Sequence, residues 1–269
     1  MIEPSTVTES AISVTVRDSL LTLTLNRPEK GNALRHEDCL AMREQIEAVD
    51  GGDVRAILIR ATGRHFCLGA DLVSANAGQT KPRPGHLTRA LDAGAHALVS
   101  AVWRCPVPTV SLVQGRAMGL GLHLAVACDF TIAASDATFS EPFSKRGFSV
   151  DSGGSFLLPR LVGLRRARQM LFRGVQVEAP TAVEWGLIDS AVTPETLDDE
   201  GATLARELAQ GPTYSLGHTK SLLNEPALTG LNGALSREAA SVEATVRSAD
   251  FKEGLRAFSE RRDPNFSGA

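Results

Sequence analysis

The chain has few aromatic residues, few cysteines and little net charge. Aromatics make up 5% of its 269 residues, so a core must depend mainly on aliphatic side chains. Four scattered cysteines without a CxxC pair argue against a disulfide framework or a metal site and fit a reducing cytoplasm. A net charge of −3 without a basic stripe argues against nucleic acid or an anionic membrane as the main partner. No apolar run reaches the roughly 18 residues that span a bilayer, and the polar start "MIEPSTVTES" does not resemble a signal peptide.

Segments typical of strands alternate with segments typical of helices up to about residue 195. This order predicts an α/β fold with mostly parallel strands. Beyond that point the sequence is helical and amphipathic. We therefore expect a core over 1–195 and a C-terminal helical region over 196–269, which packs on the core and on neighbouring subunits. The strand-like segments are 20–28, 55–63, 109–115 and 130–135; the helix-like ones include 29–50, 87–105 and 119–129; and 74–85 is predicted to be a surface loop.

Two glycine-containing segments offer backbone N–H groups for an anion. Gly119 and Gly121 flank Leu120 ahead of an apolar helix, and the first N–H groups of a helix have no partner within it. In "FCLGADL" (66–72), Gly69 permits a sharp turn that leaves the N–H of Ala70 exposed. Taken alone, both segments are more typical of tight turns than of anion sites. The glycines do not continue into a dinucleotide-binding fingerprint.

Six characteristic segments follow one another along the chain: "LNRPEKGNAL" (25–34), "FCLGADL" (66–72), "GRAMGLGLHLAVACD" (115–129), "DSGGSFLLPRLVG" (151–163), "AVEWGLID" (182–189) and "AFSERRDPNF" (257–266). Together and in this order they resemble the crotonase superfamily, the enoyl-CoA hydratases and isomerases. The resemblance implies a spiral of ββα units, a C-terminal helical region that builds trimers or hexamers, and acyl-CoA thioester substrates. Coenzyme A would then enter as part of the substrate, with no permanently bound cofactor and no metal. The implied oxyanion donors are the backbone N–H groups of Ala70 and Leu120.

The chain departs from the hydratase pattern at two positions. Hydratases of this family use two glutamates around one water, and here His123 and Phe143 stand at those positions. A phenylalanine neither activates nor protonates water. Glu141 is either a displaced substitute or a solvated or locally hydrogen-bonded surface acid. His123 is either a base near neutral pH or a residue that fills an apolar pocket.

Asp151 matches a position where several branches of the superfamily carry a working aspartate. Its surroundings, "FSKRGFSVDSGGSFLLPRLVG", are most similar to the branch that isomerises the ring epoxide of phenylacetyl-CoA. One carboxylate is enough for an isomerase, since the same group removes a proton and returns it elsewhere. In that case Phe143 excludes water. The other interpretation of Asp151 is a helix N-cap.

A further set of residues is expected to line the acyl-CoA site. Arg261 stands where related chains often carry a lysine for the CoA phosphates, although it is equally typical of a solvated charge. The full set is Lys30, Ala33, Leu34, Leu68, Asp71, Leu72, Gly119 and Arg261.

The leading hypothesis is a one-base isomerase of enoyl-CoA, or of a ring-epoxide CoA ester, acting through Asp151. One alternative is an enoyl-CoA hydratase in which His123 or Glu141 holds the water. An alternative of a different class is a catalytically weak subunit that binds acyl-CoA.

Overall fold

Two β-sheets form the centre of the computed structural model, which describes residues 10–71, 85–224 and 230–269. The larger sheet has the strand order β1-β2-β3-β4-β6-β9, and the smaller sheet has the order β5-β7-β8. The strands are β1 (Ile12–Arg17), β2 (Leu20–Leu25), β3 (Ala56–Ala61), β4 (Thr109–Val113), β5 (Arg116–Met118), β6 (Phe130–Ala134), β7 (Thr138–Ser140), β8 (Gln176–Glu178) and β9 (Ser190–Val192).

Strand direction follows the predicted pattern. From β2 to β9 every neighbouring pair in the larger sheet is parallel, and only the β1–β2 hairpin is antiparallel. The smaller sheet pairs β5 with β7 in parallel and β7 with β8 antiparallel. All five residues of β4 are buried, as expected for a parallel strand covered on both faces. The predicted α/β fold with mostly parallel strands is confirmed.

Helices surround the sheets and continue through the C-terminal region. The segment 87–105 was expected to be one helix, but Gly94 divides it into two, because its backbone there is not helical. The helices are α1 (His36–Glu47), α2 (His86–Ala93), α3 (Ala95–Arg104), α4 (Leu120–Val126), α5 (Gly154–Arg173, interrupted at Gly163), α6 (Ala179–Trp185), α7 (Leu197–Gln210), α8 (Thr213–Asn224), α9 (Gly230–Thr245) and α10 (Ala249–Glu260).

Helix α7 packs directly on the larger sheet, and α8 is tied to the residues where the strands of that sheet begin. Gly201 of α7 lies so close to Leu112 of β4 that an added Cβ would approach its Cδ2 to 2.1 Å. On α8, the buried Lys220 Nζ lies 2.8 Å from the Asp129 carboxylate and so ties this helix to the start of β6. The division into a core and a separate helical region stays a prediction. The segment 74–85, predicted to be a surface loop, lies outside the described residues except for Gly85.

Segments from successive turns of the chain lie side by side where the larger sheet adjoins the smaller one. After β3, Cys67 forms a parallel bridge with Ala117 of β5, and β5 pairs in turn with β7. On the other side, Ala70 forms a parallel bridge with Leu34. These contacts bring the segments around 34, 67–70, 116–120 and 138–140 side by side. They assemble the site described next.

Candidate active site

Ala70 and Leu120 line a common pocket. Leu120 is the first residue of α4, so its N–H has no acceptor within the helix. In the bridge to Leu34, the Gly69 carbonyl accepts from Leu34 N and Asp71 N donates to Leu34 O, each at 2.9 Å. The intervening Ala70 N–H therefore points away from that bridge. Both residues line the pocket, so the two predicted oxyanion donors are brought together.

Glycines allow the two donor segments to approach. Met118 N donates to Cys67 O at 3.0 Å, which joins the segments directly. A Cβ on Gly69, whose φ is +100°, would lie 2.9 Å from Met118 O and 3.9 Å from Leu120 N. A Cβ on Gly121 would lie 2.3 Å from Cys67 O. A side chain at either glycine would push the donors apart.

Apolar side chains line most of the pocket, together with one carboxylate and the guanidinium residue Arg146. The rings of Phe143 and Phe148 meet edge to face with centroids 5.2 Å apart, and Phe143 also lies against Gly119. Asp151 is half-buried and lines the same pocket. The complete lining is Leu68, Gly69, Ala70, Met118, Gly119, Leu120, Pro142, Phe143, Arg146, Phe148 and Asp151.

Asp151 does not cap the helix that follows it. Helix α5 begins at Gly154, its N-cap is Gly153, and no side chain makes a capping hydrogen bond there. The carboxylate Oδ1 instead accepts a 2.9 Å hydrogen bond from the hydroxyl of Ser152. The backbone carbonyl of Asp151 accepts from Gly154 N at 3.0 Å. The N-cap interpretation is therefore wrong for the side chain, because the carboxylate makes no hydrogen bond to the start of α5.

His123 and Glu141 form a fully buried pair beside the pocket. Their Nε2 and Oε1 atoms lie 2.9 Å apart, although the approach is not in line for a hydrogen bond. The His123 ring stacks on Phe143, with centroids 5.9 Å apart and planes within 9°. Glu141 is thus not a surface acid, since both residues are 0% exposed. Phe143 lines the pocket, whereas neither member of the pair does.

Three of the remaining predicted binding residues, Leu34, Leu68 and Asp71, are packed or paired close to the pocket. Leu68 packs on Gly31 and so joins the 28–34 turn to the pocket, with Leu34 buried beneath. The Asp71 carboxylate lies 3.2 Å from the Arg27 guanidinium, which holds Asp71 itself in place next to Ala70.

The other predicted binding residues are less enclosed or fall outside the described part of the chain. Ala33 is half-buried and Lys30 is exposed in a short 3-10 helix. Arg261 is exposed at the end of α10 and is not among the pocket-lining residues. Leu72 lies outside the described residues.

The sequence did not single out Arg146, Phe148 or Ser152. Arg146 and Phe148 reach the pocket because a short 3-10 helix (Ser144–Arg146) turns the chain after Phe143. Ser152 was visible only as the neighbour of Asp151. Its contact depends on a backbone conformation that the sequence pattern does not reveal.

The cysteine nearest the donors is a neutral packing residue. Gly69 N donates to Cys67 Sγ at 3.4 Å, and the sulfur is buried. Burial raises the pKa of the Cys67 thiol to about 12. Such a thiol stays protonated near neutral pH and is a poor nucleophile.

Neither a metal-binding cluster nor a membrane-spanning helix occurs among the described residues. Residues 10–71, 85–224 and 230–269 contain no cluster of three or more histidine, cysteine, aspartate or glutamate side chains placed to hold a metal ion. Within the same residues, none of the helices has the length and apolar character needed to cross a bilayer.

Comparison with known proteins assigns the sequence of this chain to one family. The model of the enoyl-CoA hydratase/isomerase family matches residues 15–269. A 1,2-epoxyphenylacetyl-CoA isomerase of Escherichia coli is 39% identical over 254 residues, which cover 94% of this chain and 97% of that protein. A probable enoyl-CoA hydratase of Rhodobacter capsulatus is 35% identical, with 94% and 96% covered.

Solved structures give the same result for the fold. A putative enoyl-CoA hydratase from Streptomyces coelicolor superposes with a TM-score of 0.89 at 32% identity, covering 100% of both chains. A putative enoyl-CoA hydratase/isomerase from Mycobacterium abscessus gives 0.88 at 32% identity, covering 96% of this chain and 100% of that one. The crotonase-like fold expected from the motifs is confirmed.

Proposed function

The chain belongs to the enoyl-CoA hydratase/isomerase family of acyl-CoA enzymes, and we propose that it isomerises its substrate with Asp151 as the single proton carrier. The observation that carries the proposal is the make-up of the pocket. Asp151 is the carboxylate that lines it together with Ala70 and Leu120, and Phe143 is part of the same lining. By the resemblance of the motifs, Phe143 stands where hydratases of the family have their second glutamate.

The reaction follows from where charge develops. The Asp151 carboxylate removes a proton from the acyl chain, and the electrons of that C–H bond move towards the thioester oxygen. The N–H groups of Ala70 and Leu120 donate to this oxygen and stabilise the dienolate. One such donor is typically worth about 3 kcal/mol in the transition state. Asp151 then returns the proton to another carbon, so the double bond moves and no atom is gained or lost.

Phe143 supports isomerisation over hydration. Its buried ring forms part of the pocket wall and offers no polar atom to hold or activate a water. Without an activated water, conjugate addition of water to the α,β-enoyl thioester is not promoted, and the dienolate takes its proton back from the aspartic acid beside it. A ring-epoxide CoA ester is the other substrate class supported, since the E. coli relative is a 1,2-epoxyphenylacetyl-CoA isomerase.

The test is Asp151→Asn assayed with a β,γ-enoyl-CoA. We expect kcat to fall by a factor of about 100 or more, as for loss of a general base, while acyl-CoA binding is retained. The matched control is Asp136→Asn, the same chemical change at an exposed position in the turn between β6 and β7. Undiminished isomerisation by Asp151→Asn would contradict the proposal.

A hydratase is the second candidate, and the relative from R. capsulatus called a probable enoyl-CoA hydratase favours it. The water would have to be held by His123 or Glu141, which are buried outside the pocket lining. Crotonyl-CoA hydration at a rate typical of hydratases, abolished by His123→Ala, would support this candidate. A subunit that only binds acyl-CoA would instead show tight binding without turnover across a panel of esters.

We further propose a trimer, or a hexamer of two trimers, in a reducing cytoplasm. Large apolar side chains are exposed on α5 and α10, including Phe172 at 72% and Phe258 at 85%, and burial in an assembly would stabilise them. All four cysteines are unpaired, which fits a reducing compartment. Light scattering after size exclusion measures the mass directly, and a monomer at micromolar concentration would contradict the assembly.

A further inference from the structure

We propose that Ser152 is a positioning residue, which holds the Asp151 carboxylate in one orientation for proton transfer. The inference rests on the proposed role of Asp151 and adds a second residue to it. Two observations support it: the hydrogen bond between the two side chains, and the left-handed backbone conformation of Ser152 that makes this bond possible.

The backbone of Ser152 is left-handed. Its φ is +49°, and Gly153 follows with φ of +86°. Glycine adopts this conformation without penalty, whereas a residue with a Cβ does not. The chain nevertheless has serine at this buried position, where only 2% of the residue is exposed. A strained residue beside a candidate catalytic group points to a role for its side chain.

The side chain of Ser152 has one partner. Its hydroxyl donates to Asp151 Oδ1 at 2.9 Å, and the described residues offer it no other hydrogen bond. The left-handed turn folds the hydroxyl back onto the preceding side chain. The strain and the hydrogen bond are therefore parts of one arrangement.

The hydrogen bond restricts the carboxylate at the pocket. Asp151 is half-buried and shares its pocket with the two backbone donors. With Oδ1 held by the hydroxyl, rotation of the carboxylate is restrained and Oδ2 remains to take the proton. Proton transfer requires a close and aligned approach, so a misplaced carboxylate slows the reaction more than it weakens binding.

The variant Ser152→Gly distinguishes a role of Ser152 in positioning Asp151 from a role in folding. Ser152→Gly removes the hydroxyl and relieves the left-handed backbone, so the fold should be as stable as before. If Ser152 served only the fold, this variant would keep full activity. If it positions Asp151, kcat should fall although the protein is no less stable.

The experiment compares kcat, KM and the melting temperature for Ser152→Gly, Ser152→Ala and the control Ser155→Ala, an exposed serine in the first turn of α5. For Ser152→Gly we expect kcat to fall roughly tenfold to hundredfold, with KM within about twofold and no loss of melting temperature. Ser152→Ala should lose similar activity and also melt earlier. Wild-type kcat in Ser152→Gly would overturn the inference.

Two further measurements keep the inference separate from the function it rests on. In the Asp151→Asn background, Ser152→Gly should have no additional effect on kcat. An inactive Asp151→Asn with a fully active Ser152→Gly refutes the positioning role alone, whereas an active Asp151→Asn refutes the proposed function. A structure of Ser152→Gly with bound acyl-CoA should show the carboxylate in more than one orientation, and a single unchanged orientation would contradict the inference.

Discussion

His123 Nε2 lies 2.9 Å from Glu141 Oε1, and both side chains are completely buried beside the ring of Phe143. Among the described residues, no hydrogen bond satisfies any of the side-chain nitrogens and oxygens of the pair. Each residue is therefore the main polar neighbour of the other. Removing one side chain leaves the other buried without a polar partner. The free energy of unfolding lost in this way is larger than the amount that the intact pair contributes.

We expect the stability of variants at this pair to be strongly non-additive. His123→Leu and Glu141→Leu should each lower the free energy of unfolding by about 3 kcal/mol. The double variant should lose much less than their sum, because two leucines fill the site without an orphaned polar group. Urea denaturation of the four proteins measures this coupling. Additive losses would show that the two side chains do not depend on each other.

The burial of Glu141 illustrates what the sequence could and could not reveal. The donor segments were predictable because each lies within one contiguous motif, and Asp151 was predictable for the same reason. Glu141 is buried through a contact with His123, eighteen positions earlier on another element, which no local pattern encodes. Likewise the three-residue strands are too short to show periodicity, and the contact of Ser152 depends on its φ of +49°.

Gly121→Ala should impair catalysis through the distance between the two donors. An alanine Cβ would collide with Cys67 O at 2.3 Å, so the segment ending at Ala70 must move away from α4. We expect kcat to fall at least tenfold, because oxyanion stabilisation depends on donor position. The control is Gly163→Ala, where φ is +74° but a Cβ meets nothing within 4 Å. That variant should lose stability by about 1 kcal/mol and keep its kcat. Equal kcat losses in both variants would contradict the expectation.

All four thiols should react slowly in the native protein. The cysteines are buried and free, and burial raises the pKa of Cys39, Cys67 and Cys128 to about 12 and also raises that of Cys105. Because the thiolate is the reactive form, very little of it is present at pH 8. An aromatic disulfide reagent should label four thiols rapidly in denaturant and fewer than one over the same time in buffer. Rapid native labelling would show that at least one thiol is accessible.

Phe143→Glu should change which product forms. The substitution puts a carboxylate in the pocket wall, at the position where hydratases of the family carry one of their two glutamates. A carboxylate there can hold a water near the acyl chain, which the phenyl ring of the native residue excludes. We expect the ratio of hydrated to isomerised product from an enoyl-CoA to rise at least tenfold, measured by chromatography of the CoA esters. Phe143→Leu is the matched control, since it loses the ring but adds no acid, and its product ratio should stay near that of the wild type. If both variants form hydrated product equally, the space left by the ring, and not the added acid, admits the water. The ring alone would then determine whether isomerisation or hydration occurs.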